Sequence, residues 1–202
     1  MRVMTPTPDI IEEAAGLIRA GGIVAYPTET VYGLAADPFS DAAVRSLFDA
    51  KARPGDKPVL LVVADRAQLD DVAARVSGRA EACIRAFWPG PVSIVFPKSD
   101  RVSTLVTAGG DTVCVRCPGH AIARQLCAAV GHAITSSSAN LSGEPAIRDL
   151  MDLNLRGVLL ALDGGVLRVS LPSTIVDADT GTVLREGAVS KARIDTVLDG
   201  LS

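Results

Sequence analysis

Residues 23–34 read Ile23-Val24-Ala25-Tyr26-Pro27-Thr28-Glu29-Thr30-Val31-Tyr32-Gly33-Leu34. The run from Ile23 to Tyr26 is short, apolar and preceded by Gly21-Gly22, the pattern of a buried strand. It passes at once into a turn of hydroxyls and one carboxylate. Further on, Lys51-Ala52-Arg53-Pro54 ends a helix that Ser40 caps and whose inward face is Val44, Leu47 and Phe48. A second polar turn, Ser136-Ser137-Ser138-Ala139-Asn140-Leu141-Ser142-Gly143, follows a second short apolar strand at 133–135. Two polar turns at strand exits, with two cations nearby, point to one shared site. Its residue types suit an anionic substrate that also carries an amine.

Outward from these turns, strands and helices intermix along the chain. Residues 8–20 read as a helix with Thr7 as N-cap, Pro8 in the first position and an apolar stripe of Ile10, Ala14, Leu17 and Ile18. Residues 58–64 form a continuous apolar run, read as a buried strand. Helices are expected over 66–74, 78–87 and 120–130, and strands over 92–96, 112–117, 158–162, 173–177 and 182–185. A closing helix follows Ser190. The close spacing of 173–177 and 182–185 predicts a hairpin. The sequence has no linker, low-complexity tract or internal repeat. The expectation is one α/β domain over residues 1–202, with a twisted mixed sheet and flanking helices.

Composition narrows the function. Hydrophobic residues make up 48% and aromatics 3%, so the core is aliphatic and a base-stacking platform for single strands is disfavoured. Twenty basic and 23 acidic side chains leave a net charge of −3, which gives no global attraction to nucleic acid but permits a local basic cleft. No run of 18 apolar residues occurs, and Met1-Arg2-Val3-Met4-Thr5-Pro6 lacks the apolar segment of a signal peptide. A cytoplasmic protein without a membrane span is expected. The four cysteines show no disulfide framework. Cys114-Val115-Arg116-Cys117 with His120 resembles half of a zinc site. Residues three apart on a strand point to opposite faces, however, and no fourth ligand is evident. No protein-held metal is therefore expected.

The common nucleotide loops G-x-x-x-x-G-K-[ST] and G-x-G-x-x-G are absent, as is a G-x-S-x-G elbow. Cations and hydroxyls remain as candidates. Lys51 and Arg53 either reach one polyphosphate together or form a solvated helix end that complements the dipole. Arg116, inside an apolar strand begun by Thr112, lies on a wet face or pairs with an anion. Arg185 repeats that placement at the end of Thr182-Val183-Leu184. Ser173-Thr174 at a strand start, Ser138 with Asn140, and Thr28-Glu29-Thr30 are turn formers or site residues.

YPTETVYGL (26–34), K-x-R (51–53), WPGPVSIVFP (88–97), DTVCVR (111–116), SSSANLSG (136–143), PSTIVD (172–177) and LREG (184–187) occur in this order. Together, over residues 9–195, they resemble the YrdC/TsaC family, the threonylcarbamoyl-AMP synthases. The resemblance implies an α/β fold with an open, positively lined cleft. It implies a reaction in which L-threonine, bicarbonate or CO2, and ATP with Mg2+ give threonylcarbamoyl-AMP and pyrophosphate. The product feeds modification of adenosine in tRNA through downstream threonylcarbamoyl-transfer proteins, and contact with tRNA itself is an associated expectation. By motif, Thr28, Arg116 and Ser173 would hold threonine, and Lys51 and Arg53 would be catalytic. Lys51, Thr112, Ser138, Asn140 and Arg185 would contact ATP. On this reading Lys51→Ala lowers turnover far more than stability. Three departures stand out: Val63 where longer relatives carry His, Glu186 where Pro is common, and an end at Ser202 that matches the short form. An RNA-binding module without turnover and a carbamoyl-adenylating relative of the hydrogenase-maturation kind are the alternatives.

Overall fold

A computed structural model describes residues 1–200. The chain opens with β1 (Arg2–Met4), α1 (Pro8–Arg19), β2 (Ile23–Pro27), β3 (Tyr32–Ala35) and α2 (Asp41–Ala50). Pro8 begins α1 as expected, and Ile11, Ala14, Ala15 and Ile18 form its buried face, one residue round from the stripe read in the sequence. The polar turn after β2 reverses the chain, so β2 and β3 pair antiparallel from Val24↔Ala35 to Pro27↔Tyr32. The sequence reading contained no strand at β3. All four of its residues are buried, and a strand buried on both faces shows no alternation. Ser40 caps α2, its Oγ accepting from the amide of Ala43 at 3.3 Å.

The remaining elements are β4 (Leu61–Val62), α3 (Gly78–Phe87), β5 (Val92–Pro97), β6 (Thr112–Arg116), α4 (Ala121–Val130), β7 (Ile134–Thr135), β8 (Ser137–Ser138), β9 (Val158–Leu162), β10 (Thr174–Asp177), β11 (Thr182–Arg185) and α5 (Lys191–Asp199). The helix expected over 66–74 is a 3-10 segment, Ala67–Asp71. Beyond it the backbone is committed elsewhere: Ala73 bridges Lys98 and the amide of Ala74 donates to the Pro97 carbonyl at 2.8 Å. Within the apolar run 58–64, Val59 and Leu61–Val63 are buried while Pro58 is exposed, and only Leu61–Val62 is a regular strand. On either side of it Val59 donates to Val106, Val63 donates to Arg116, and Leu60 accepts from Ser136.

Two mixed sheets result, ordered β1-β9-β2-β3-β8 and β11-β10-β5-β6-β4-β7. The hairpin read from the spacing of 173–185 is the antiparallel pair β10–β11. Residues 134–138 carry the chain from one sheet to the other, since β7 pairs with β4 and β8 with β3. The Thr135 hydroxyl strengthens that crossing, donating to the Leu34 carbonyl at 3.1 Å and accepting from the Ala36 amide at 2.8 Å. One apolar core joins the sheets to α2, α3 and α5, and a second packs α1 and α4 on Val24, Tyr26, Val62 and Leu160. Ile18 and Leu126 are fully buried there, each contributing about 1.5–3 kcal/mol. Among the described residues no helix is long and apolar enough to cross a membrane.

Candidate active site

A cavity of about 520 Å³ opens between the turn after β2, the crossing 136–138, and a wall formed by β6, β10 and β11. Four guanidinium groups line it: Arg53, Arg116, Arg148 and Arg185. Thr28, Thr30, Ser136, Ser137, Ser138, Ser170 and Ser173 line it as well, among apolar residues such as Val59 and Ile175. The chain as a whole is acidic at −3, so positive charge is concentrated where the hydroxyls converge. Such a lining favours an anion with many acceptor oxygens.

Strand alternation explains Arg116. Thr112, Cys114 and Arg116 share one face of β6, and the latter two line the cavity. Arg116 is 3% exposed. Its nearest anion is Glu29, with Nη1 3.6 Å from Oε1, too far for a hydrogen bond. Buried Nε atoms of Arg116, Arg53 and Arg148 have no hydrogen-bond partner among the described residues, and neither does Glu29 Oε2. Glu29 Oε1 accepts from the Gly119 amide at 3.0 Å. Thr112 stands at the far, exposed end of β6 and does not line the cavity.

Arg185 is held quite differently. Its Nε and Nη2 donate to the Ser173 carbonyl at 3.2 and 2.8 Å, and Nη2 also donates to Ser173 Oγ at 3.1 Å. The loop after it is fixed by Gly187, where a Cβ would lie 2.1 Å from the Pro172 carbonyl. Glu186 is exposed, and its Oε1 accepts from the Lys191 amide at 3.1 Å. Its departure from the family pattern thus serves the start of α5 and leaves the loop path to Gly187.

Lys51 follows the last turn of α2 and is 1% exposed, which removes the solvated helix-end reading. Its Nζ donates to the carbonyls of Ser138 and Asn140, the latter at 2.6 Å. The Lys51 carbonyl in turn accepts from the Ser142 amide at 2.9 Å. The ammonium therefore stands behind the cavity wall and braces the turn 138–142. Burial, with a smaller contribution from Arg53, lowers its pKa to about 8. Arg53 lines the cavity and donates to the carbonyls of Lys57 and Pro58 at 3.3 and 2.8 Å. Burial lowers its pKa too, Asp56 opposing. Asn140 donates to the carbonyls of Leu141 and Glu144 at 2.7 and 2.8 Å, leaving a buried Oδ1 without a partner. Ser138 lines the cavity.

Thr28 lines the cavity too, but its hydroxyl is occupied. Oγ1 donates to the Val31 carbonyl at 2.6 Å and accepts from the amides of Thr30 and Val31, both at 3.2 Å. It thereby closes the turn, an ST-type motif. Val63 is fully buried in the core and does not line the cavity, so the His-to-Val departure is absorbed by packing. Ser136, in the second polar turn, lines the cavity with Ser138, whereas sequence reading assigned no role to Arg148, Ser93 or Ser170. Ser170 Oγ donates to the Glu29 carbonyl at 3.1 Å and ties the segment before β10 to the first polar turn. An isolated Arg in a loop and a lone Ser in an apolar strand carry no pattern. Only their proximity to the two polar turns could have drawn attention to them.

Among the described residues no group of three or more His, Cys, Asp and Glu is arranged to hold a metal ion. Cys114 faces the cavity, while Cys117 Sγ donates to the Ala64 carbonyl at 3.2 Å. His120, at the start of α4, has a buried Nδ1 without a partner, and burial lowers its pKa.

A family model for Sua5/YciO/YrdC, described as "Telomere recombination", matches residues 16–187. Threonylcarbamoyl-AMP synthase of Pyrococcus abyssi is 38% identical over 193 residues, which are 93% of this chain and 57% of that protein. Threonylcarbamoyl-AMP synthase of Vibrio vulnificus is 38% identical over 182 residues, 88% of this chain and 98% of that protein. The chain thus spans little more than half of the first relative and nearly all of the second. The crystal structure of P. abyssi Sua5 complexed with L-threonine superposes with a TM-score of 0.90 at 37% identity, covering 97% of this chain and 59% of that one. The match over most of the chain, the identity and the shared architecture agree: this chain belongs to the Sua5/YciO/YrdC family.

Proposed function

We propose that the chain is a nucleotidyltransferase. It joins L-threonine, bicarbonate or CO2, and ATP into threonylcarbamoyl-AMP and releases pyrophosphate, for threonylcarbamoyl modification of adenosine in tRNA. The observation that carries this reading is the cavity with four arginines, three of which keep a buried Nε without a partner. Groups so placed are costly unless an anion completes them. A triphosphate and an amino-acid carboxylate together supply several anionic oxygens.

The chemistry asks the protein for positioning and charge. The neutral amine of threonine attacks CO2 and loses a proton, giving a carbamate. A carbamate oxygen then attacks the α-phosphorus in line, and pyrophosphate leaves. Both steps bring anions together, so guanidinium groups lower the barrier by holding them and stabilising the charge that builds up. In this scheme Arg116 takes the threonine carboxylate, and Thr28 and Ser173 border the amino acid. Arg53 and Arg185 lie along the phosphates with Ser138. Lys51 contributes by bracing the turn that carries Ser138 and Asn140, and Arg148 joins the phosphate-binding set. Mg2+ fits as an ion carried by the nucleotide: such ions use one or two carboxylates plus phosphates, and Glu29 Oε2 is a buried carboxylate oxygen without a partner. Bound with ATP, it would offset phosphate charge. Convergence of the four arginines on one cavity, with Arg116 almost fully buried, favours a small polyanion over an RNA backbone. tRNA contact and transfer proteins are downstream partners in this reading, and the cytoplasm is its setting.

The test is to incubate the protein with ATP, Mg2+, bicarbonate and L-threonine and follow pyrophosphate. Release that needs both threonine and bicarbonate, with the adduct seen by mass spectrometry, is expected. ATP binding without such release would overturn the reading.

A further inference from the structure

Ser93, inside the stretch WPGPVSIVFP of β5, is fully buried and was given no role in the site. It lies beside Ile175 in the parallel pairing of β5 with β10. Its Oγ donates to Ser173 Oγ at 3.0 Å. Arg185 Nη2 also donates to Ser173 Oγ, at 3.1 Å. A guanidinium can only donate, so the serine oxygen must accept there. The Ser93 hydroxyl has no other acceptor among the described residues, and a buried hydroxyl proton without a partner is costly. Its proton therefore also points at Ser173.

Both acceptor positions of the Ser173 oxygen are then filled, and its own proton has no acceptor among the described residues. Ser173 lines the cavity and is 5% exposed. Its hydroxyl can act toward a ligand only as a donor. We infer that Ser93 is a positioning residue that fixes the polarity of Ser173, so that this corner of the site accepts only a substrate atom with a free lone pair. In the proposed reaction, which this inference takes as given, Arg116 holds the carboxylate of the amino acid, and the side-chain hydroxyl oxygen is the acceptor left for Ser173. An ammonium nitrogen or a methyl group in the same place leaves the Ser173 proton unpaired.

Valine has the shape of threonine but a methyl in place of the hydroxyl, so it isolates this one contact. The measurement is kcat and KM for pyrophosphate release with threonine and with valine, in the unmodified protein and in Ser93→Ala. The unmodified protein should prefer threonine. In Ser93→Ala one acceptor position of Ser173 is released, so its hydroxyl can accept as well as donate and its polarity is no longer fixed. The threonine-to-valine ratio of kcat/KM should then fall by about tenfold, mainly through KM for threonine, with kcat for threonine largely kept. A purely structural role would lower both substrates together and leave the ratio unchanged, which would overturn the inference. Ser93→Cys, close in volume with a weaker donor, provides the same reading if the alanine variant does not fold: an intermediate ratio is expected, and an unchanged one overturns the proposal. No threonine-dependent release from the unmodified protein would remove the substrate reading, and the assignment to Ser93 with it.

Discussion

Arg116 and Arg185 reach one cavity from one sheet, yet the protein treats them in opposite ways. Arg185 is bonded to the carbonyl and the hydroxyl of Ser173, so it is oriented before any ligand arrives. Arg116, almost fully buried, has Glu29 as its ion partner at 3.6 Å and, among the described residues, an Nε without a partner. A buried charge so loosely paired adds little to stability and can subtract from it. A guanidinium that satisfies a backbone carbonyl holds the chain together. The two side chains therefore separate a residue kept for a ligand from one that serves ligand and fold together.

The sharpest way to break this comparison is to replace each by Met. Arg116→Met should lower threonine-dependent kcat/KM by about a hundred- to a thousandfold, the worth of a desolvated charged pair. Its melting temperature should be unchanged or higher. Arg185→Met should reduce activity less, by about ten- to a hundredfold, yet lose about 1–3 kcal/mol of stability because Ser173 is left unsatisfied. Equal melting shifts in the two variants would sink the distinction.

Lys51 sharpens the same contrast from behind the wall. The motif alone led to the expectation that Lys51→Ala harms turnover and spares stability. Its two bonds to the carbonyls of Ser138 and Asn140 change that expectation to a loss of both, with about 2–4 kcal/mol of stability gone. Its titration gives a second readout. With a folded pKa of about 8 against an ordinary 10.5, the unfolded chain holds the proton to higher pH than the folded one. Stability should therefore rise with pH between those values, and urea midpoints should show the rise in the parent and lose it in Lys51→Ala. The smallest effect is expected at Thr112, which is exposed and outside the cavity. Thr112→Ala should change kcat/KM by less than about threefold; a larger loss would show that ATP extends beyond the cavity to the end of β6.

Local signals made much of this molecule readable. Ser40 and Ser190 announced helix starts that their side chains do cap, and the spacing of 173–185 announced a hairpin. The division into two sheets was not readable, because it depends on where residues 134–138 find partners, and those partners lie far away in sequence. Within the site, Arg53, Arg116, Arg185, Ser138 and Ser173 could be picked out by their place at strand and helix ends. Arg148 and Ser93 could not, since the meaning of each comes from a neighbour supplied by another strand or loop. Thr28 taught the converse: a polar residue in a motif can be consumed by the turn it forms.

The crossing at Ile134–Ser138 joins the two sheets at the edge of the cavity. Five extended residues span about 17 Å at most. This ribbon is bonded to Leu34 and Ala36 on one side and to Leu60 on the other. It works as the bridge of a pair of spectacles does, tying two frames together at one short span. The two jaws of the site are consequently joined at their back by a short backbone span, and a ligand meets loops and side chains built on either end of it.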